Sequence, residues 1–132
     1  MYFVFKCVII FVYFFLSEYS FAETHHPQAF LQAIKGDQDE GIQIVRHFCS
    51  SCHADKPLIP LGAPRMDNES DWSSRVKKGM TTLLLHTEEG FKAMPARGGC
   101  FECSDEQLIL AILAMLPELQ KKAILTELKN LK

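Results

Sequence analysis

The sequence predicts a small all-α domain of four to five short helices, followed by one more helix as a C-terminal tail. Three observations predict it. Apolar residues recur three and four apart rather than in strict alternation, which is the spacing of one helix face. Gly and Pro fall between the apolar segments, where they end helices, and hairpin turn signals are absent. Ser, Asn and Asp stand at segment starts, where their side chains can accept the unpaired N–H groups of a first helical turn.

The first stretch is set apart from the rest. Lys6 precedes an unbroken apolar run from Cys7 to Leu16, and Ser20-Phe21-Ala22 puts small residues where a signal peptidase reads. This is the layout of a signal peptide over residues 1–22. The apolar run is short for a membrane span, which needs about 20 residues; left uncleaved, the leader would act as an anchor. His25 and His26 lie next to the cleavage point. Residues 23–40 form an N-terminal lead-in, with Pro27 to Lys35 a short helix closed by Gly36.

Asp37 or Asp39 is placed to cap the next helix, which runs to about Phe48 with Ile44, Val45 and Phe48 on one side. Residues 54–67 carry Pro57, Pro60, Gly62 and Pro64 and read as loop. Asn68 or Ser70 then starts a helix holding Trp72 and Val76, with Arg75, Lys77 and Lys78 toward its C-terminal end and Gly79 to close it. Met80 to about Thr87 is another short helix, ended near Gly90, and Phe91 to Cys103 is loop. Ser104 opens the last core helix with a capping box to Gln107, and Asp105 and Glu106 place acid in its first turn.

Leu108 to Leu116 is apolar at every position, so that helix needs covering on both sides. Pro117 breaks it and begins the tail helix, residues 117–132, with Leu119, Ala123, Ile124, Leu128 and Leu131 at helical spacing. The tail is expected to fold back over the outer side of the 104–116 helix. A dimer interface or a membrane contact is the alternative for its apolar face.

The chain has 14 Lys+Arg against 16 Asp+Glu, a net charge of −2, and gives no argument for a nucleic-acid partner. Of the five cysteines, all but Cys7 lie in two C-x-x-C pairs, Cys49/Cys52 and Cys100/Cys103. An exported chain meets an oxidising compartment, so each pair calls for a thioether, a disulfide or a metal.

Cys49-Ser50-Ser51-Cys52-His53 decides the chemistry. C-x-x-C followed by His is the sequence mark of c-type haem attachment: the two thiols form thioethers with the haem vinyl groups, and the imidazole binds the iron from below. A second axial ligand is then needed unless the site is left open. Met66, Met80, Met94, Met115, His47 and His86 are the candidates. Met94 is favoured, because it lies on a loop that can be aimed across a haem face and Pro95 fixes the backbone behind it. Met80 and Met115 lie on helices and read as core. Two other readings stand beside this one. A thiol–disulfide oxidoreductase would use Cys49 and Cys52 with His53 lowering a thiol pKa, but it calls for a strand before the motif and a βαβ setting. A haem sensor or catalyst would let Met94 swing away from the iron.

Met94-Pro95-Ala96-Arg97-Gly98-Gly99-Cys100-Phe101-Glu102-Cys103-Ser104-Asp105-Glu106-Gln107-Leu108 resembles the distal loop and last helix of the cytochrome c5 family. The resemblance extends back through Trp72, Arg75, Gly79-Met80 and Leu83-Leu84 to Gly62-Ala63-Pro64 and the haem motif, covering residues 41–116. It implies a class I cytochrome c fold around one covalently bound haem c, electron transfer rather than catalysis, and His/Met ligation. By the same resemblance Cys49 and Cys52 hold the haem, His53 and Met94 are the axial ligands, and the Pro64 carbonyl orients His53. Cys100 and Cys103 would form the short disulfide seen in many members. The expected partners are redox proteins such as a membrane respiratory complex or oxidase, and the expected location is the periplasm.

Two departures from the family pattern stand out. Val45 occupies a place where an aromatic residue commonly packs the first and last helices, and Ala96 replaces a second proline. For the second cysteine pair, another haem would need His where Ser104 stands. A Cys₄ zinc site from both pairs has a gap long against the usual spacing of about 15–20 residues, and leaves His53 without a role. A disulfide between Cys100 and Cys103 closes a short loop, so its effect would be to stiffen the segment between Met94 and the last helix.

Overall fold

Helices form wherever the apolar spacing and caps call for them. A computed structural model describes residues 27–130. The leader, His25 and His26, and Leu131 at the end of the tail lie outside the described residues. The elements are α1 (Pro27–Ala33), α2 (Glu40–Ile44), a π-helical turn (Val45–Cys49) leading into α3 (Ser50–His53), α4 (Glu69–Val76), α5 (Gly79–Glu89), α6 (Asp105–Met115) and α7 (Glu118–Asn130). A 3₁₀ turn spans Ala96–Gly99. Among the described residues there is no strand; Phe91 and Met94 make an isolated antiparallel bridge.

Helical backbone runs on past Phe48, where the sequence suggested an end, and carries the cysteine motif through to His53. The π turn widens the helix just before the motif, a distortion often found at functional sites. Two caps follow the sequence. Asn68 accepts from the Asp71 N–H at 3.0 Å. Ser104 and Gln107 form the reciprocal capping box, at 3.2 and 3.0 Å. Asp39 stands at the cap position of α2 but makes no capping bond. Instead the Gln43 amide donates to Asp39 and Asp37.

The core is built on the crossing of α2 and α6. Ile44 and Val45 are fully buried there, with Leu108, Ala111, Ile112 and Met115 from α6 in the same cluster. Gly41 makes the crossing close: a Cβ at that position would lie 2.8 Å from the Leu110 carbonyl carbon and 3.3 Å from Ala114 Cβ. Val45, one of the two departures from the family pattern, is packed in this core without exposure. The buried Glu40 ties the same end together, accepting from the Gly36 N–H at 2.8 Å and from the Gln107 amide at 2.9 Å.

The tail folds back, but over different helices from those the sequence suggested. α7 lies against α4 and α5, with Ile124 fully buried and Gln120 donating to the Glu69 carbonyl at 3.1 Å. The reason is local. Leu116 is extended (φ −76°, ψ 140°) and Pro117 follows, so the chain turns sharply away from the α6 axis. The flanks of α6 are meanwhile taken by α2 and α5. Leu110 of α6 stays 39% exposed, so the apolar run is not covered all round. No described helix is long and apolar enough to cross a membrane.

Candidate haem-binding site

His53 ends α3, with Ala54 extended beyond it, and its ring is buried. Its Nδ1 lies 2.7 Å from the Pro64 carbonyl oxygen. A carbonyl can only accept, so Nδ1 carries the proton and Nε2 keeps a lone pair. That is the tautomer a metal-binding imidazole needs, oriented by its other nitrogen in the usual way.

The segment that supplies this carbonyl is held at every peptide. The Arg65 N–H donates to Asp71 Oδ2 at 3.0 Å, and the Arg65 carbonyl accepts from Trp72 Nε1 at 2.8 Å. The Met66 N–H donates to the His53 carbonyl at 2.7 Å, and the Asp67 N–H to the Met115 carbonyl at 3.0 Å. The Arg65 guanidinium adds a 2.9 Å ion pair to the same Asp71 oxygen. This pairing draws the Asp71 carboxyl below its ordinary value of 3.8, the hydrogen bond from the Arg65 side chain being the largest cause. Sequence reasoning marked Pro64 and Trp72 but missed Asp71. Its only signal was an acid one residue before Trp72 and six after Arg65, which says nothing until the loop is folded.

Cys49 and Cys52 lie one helical turn apart, both partly buried and neither in a disulfide. The Cys49 thiol is pushed up to about 11, by burial first and by neighbouring Cys52 second. A thiol that resists ionisation is a poor nucleophile, the opposite of what a thiol–disulfide oxidoreductase requires. No strand leads into the motif either, since helix precedes it.

Met94 reaches the site from the far part of the chain. Its N–H and carbonyl pair with those of Phe91 at 3.0 and 3.1 Å, and Pro95 (φ −69°, ψ 158°) carries the chain into the Ala96–Gly99 turn. That turn lies against α5 and against Val45–Cys49, which brings the methionine loop to the cysteine motif. Two glycines make room. Gly90 has φ +85°, and a Cβ there would come within 2.8 Å of the Met94 carbonyl oxygen. A Cβ on Gly98 would touch Met94 Cε at 3.5 Å. Arg97 pins the end of the loop, donating to the Cys103 carbonyl at 2.6 Å and to Asp105 at 3.0 Å. Cys100 and Cys103 are disulfide-bonded, with Cα atoms 5.4 Å apart, and both are buried between this loop and α6.

The other candidate ligands have other places. Met80 and Met115 are core. Met66 belongs to the His53 side of the site through its backbone bond to that residue. His86 stacks on Phe91 at 4.2 Å and His47 on Phe30 at 4.4 Å. The donor chemistry therefore fits a haem c: two thiols one turn apart, an adjacent imidazole with its Nε2 lone pair free, and a thioether on a loop that returns to them.

Residues 36–112 match the family described as cytochrome C oxidase, cbb3-type, subunit III. Cytochrome c5 of Azotobacter vinelandii is 34% identical over 79 residues, which span 58% of this chain and 92% of that protein. The chain belongs to the cytochrome c5-like family. Cytochrome c5 of Ectopseudomonas mendocina is also 34% identical, over 54% of this chain and 82% of its own. Cytochrome c-555 of Chlorobaculum tepidum is 32% identical over 52% of this chain and 64% of its own. No solved structure gives a significant match. The all-helical architecture agrees with a small cytochrome c fold, and the family carries a covalently bound haem c. This cytochrome is thus an electron-transfer protein rather than an enzyme, and its family points to redox-protein partners.

Proposed function

We propose that this cytochrome shuttles single electrons between redox proteins of an exported compartment, the periplasm, with a membrane respiratory complex or oxidase as one partner. Cys49 and Cys52 would hold the haem through thioethers, His53 Nε2 and the Met94 sulfur would bind its iron, and Pro64 would orient the histidine. The observation that carries this reading is the 2.7 Å bond from Nδ1 of His53, the residue directly after Cys52, to the Pro64 carbonyl, because it leaves Nε2 unprotonated.

When bound, haem supplies reversible one-electron chemistry at its iron. The chain's own residues decide how that chemistry is used. With His53 and Met94 both supplied as ligands, the iron would be left without a place for a substrate or oxygen, and Met/His ligation would raise the reduction potential. The buried ring of His53 and the hydrogen-bonded loops that carry His53 and Met94 would keep both ligands in place, so little rearrangement would be needed for a one-electron change. Contact with a partner needs only a modest area, as weak redox encounters do.

The leader proposed over residues 1–22 is what sends the chain to the compartment in which the haem is attached. The test is expression with haem-maturation machinery and measurement of the exported product. We expect a mass that includes one haem retained in acid–acetone, a leader cut after Ala22, and a sulfur-to-iron band in the ferric spectrum. M94A should lose that band and bind exogenous ligands, while H53A should fail to give a stable haem protein. A colourless wild-type product would overturn the reading. Retention of the sulfur band in M94A would overturn the assignment of that ligand.

A further inference from the structure

We infer that Asp71 is a positioning residue for the axial histidine, acting through the peptide group between Pro64 and Arg65. The inference rests on the reading of His53 as haem ligand. The carbonyl that accepts from His53 Nδ1 and the N–H that donates to Asp71 belong to one peptide plane. An unbroken chain therefore runs from the Asp71 carboxylate, through the Arg65 N–H and the Pro64 carbonyl, to the imidazole N–H.

Two effects follow from this connection. The first is geometric: with its N–H anchored at 3.0 Å and its C=O at 2.7 Å, the plane cannot rotate, and the ring of His53 is held with it. Trp72 Nε1 secures the next carbonyl, so the 64–67 segment that straps His53 in place cannot shift as a whole. The second is electronic. A carboxylate that accepts from a peptide N–H polarises that peptide and makes its oxygen a stronger acceptor. A stronger acceptor draws the Nδ1 proton and raises the basicity of Nε2. A more basic imidazole favours ferric over ferrous iron.

Asp71 is well suited to the task. It sits in the first turn of α4, where Asn68 caps its own N–H at 3.0 Å and the Arg75 side chain donates to its carbonyl. The Arg65 guanidinium reaches the same Oδ2 at 2.9 Å, and Arg65 also lies 3.9 Å from Asp55. The side-chain ion pair and the backbone bond can therefore be separated by mutation.

The experiment compares the wild type, D71N, D71A and R65Q as haem-loaded full chains. The readouts are reduction potential, exchange of the His53 Nδ1 proton by NMR, and thermal unfolding. D71N keeps the shape but loses the charge. It should move the reduction equilibrium at least about threefold toward the ferrous state, about 28 mV at about 59 mV per tenfold change for one electron. D71A should move it further, with Nδ1 proton exchange about tenfold faster. R65Q removes the ion pair and keeps the backbone bond, so it should lower the melting temperature with a much smaller change in potential or exchange. If D71A does not accumulate, D71N carries the test. Variants of Asp71 that melt lower but keep the wild-type potential and exchange rate would reduce this residue to an ordinary structural acid and overturn the inference. A wild type without covalent haem would instead remove the function on which it stands.

Discussion

Single residues in this protein act mainly by fixing backbone that carries a ligand. Gly90 is the plainest case outside the His53 strap. Its φ of +85° and the 2.8 Å approach to the Met94 carbonyl leave no place for a Cβ. G90A should destabilise the fold by about 1–3 kcal/mol. It should also weaken the Met94 bond, so loss of the sulfur band is expected at lower denaturant than loss of helical signal. Coincident transitions would argue against a separate role for the loop. Asp71 gives a pH prediction as well. Its folded pKa is depressed, chiefly by the Arg65 side chain, so its stabilising contribution is present above the ordinary carboxylate value of 3.8. That contribution is lost as pH falls through the lower folded value. Wild type should therefore lose stability relative to D71N as pH falls from about 5 to below the ordinary 3.8. Denaturation midpoints across that range check it, and parallel curves would contradict the coupling. At this scale Cys49, Cys52 and His53 were legible because their meaning lies in adjacent spacing. Gly90 was legible as a helix end, but its approach to Met94 was not, and Asp71 was not at all, because both act through a peptide met only after folding.

Helices here are set by local chemistry at their ends and by close approach where they cross. The Ser104–Gln107 box was legible because both partners lie within one turn. S104A should cost about 1 kcal/mol, read from chemical denaturation. Asp39, an equally good candidate on paper, makes no cap because Gln43 draws its side chain away. Gly41, in the first turn of α2, is a poor choice by propensity, and sequence analysis passed over it. Its reason is the α2–α6 crossing, where a Cβ would lie 2.8 Å from the Leu110 carbonyl carbon. G41A gains about 1 kcal/mol of helix propensity but must push the helices apart, which costs about 1–3 kcal/mol. A net loss of stability is expected. A more stable G41A would mean that the crossing is looser than described.

The whole molecule is a haem fold with an added C-terminal strut. α7 buries Ile124 against α4 and α5, the two helices that follow the His53 strap and precede the Met94 loop. Removing everything after Pro117 should lower the melting temperature, and I124A alone should cost about 2–5 kcal/mol as a buried large-to-small change. Unchanged melting of the truncated protein would show that the tail contributes nothing to the fold. Leu119 remains 72% exposed on α7, so the tail is not used up by its packing. The net charge of −2 gives no strong long-range field, and association with partners should depend on salt only through local groups.

By itself, the sequence determined what depends on neighbours along the chain: an all-helical fold, the haem-attachment motif, the Ser104 capping box, and the break at Pro117, with the next cap narrowed to Asn68 or Ser70. Hydrogen bonds within one helical turn, and fixed spacing between reactive side chains, need no distant partner. Tertiary structure alone decided which helices the tail covers, how close α2 comes to α6, and which acid grips the Pro64–Arg65 peptide. Those outcomes depend on surfaces and backbone groups from remote parts of the chain competing for the same space, and no residue pattern encodes that competition locally.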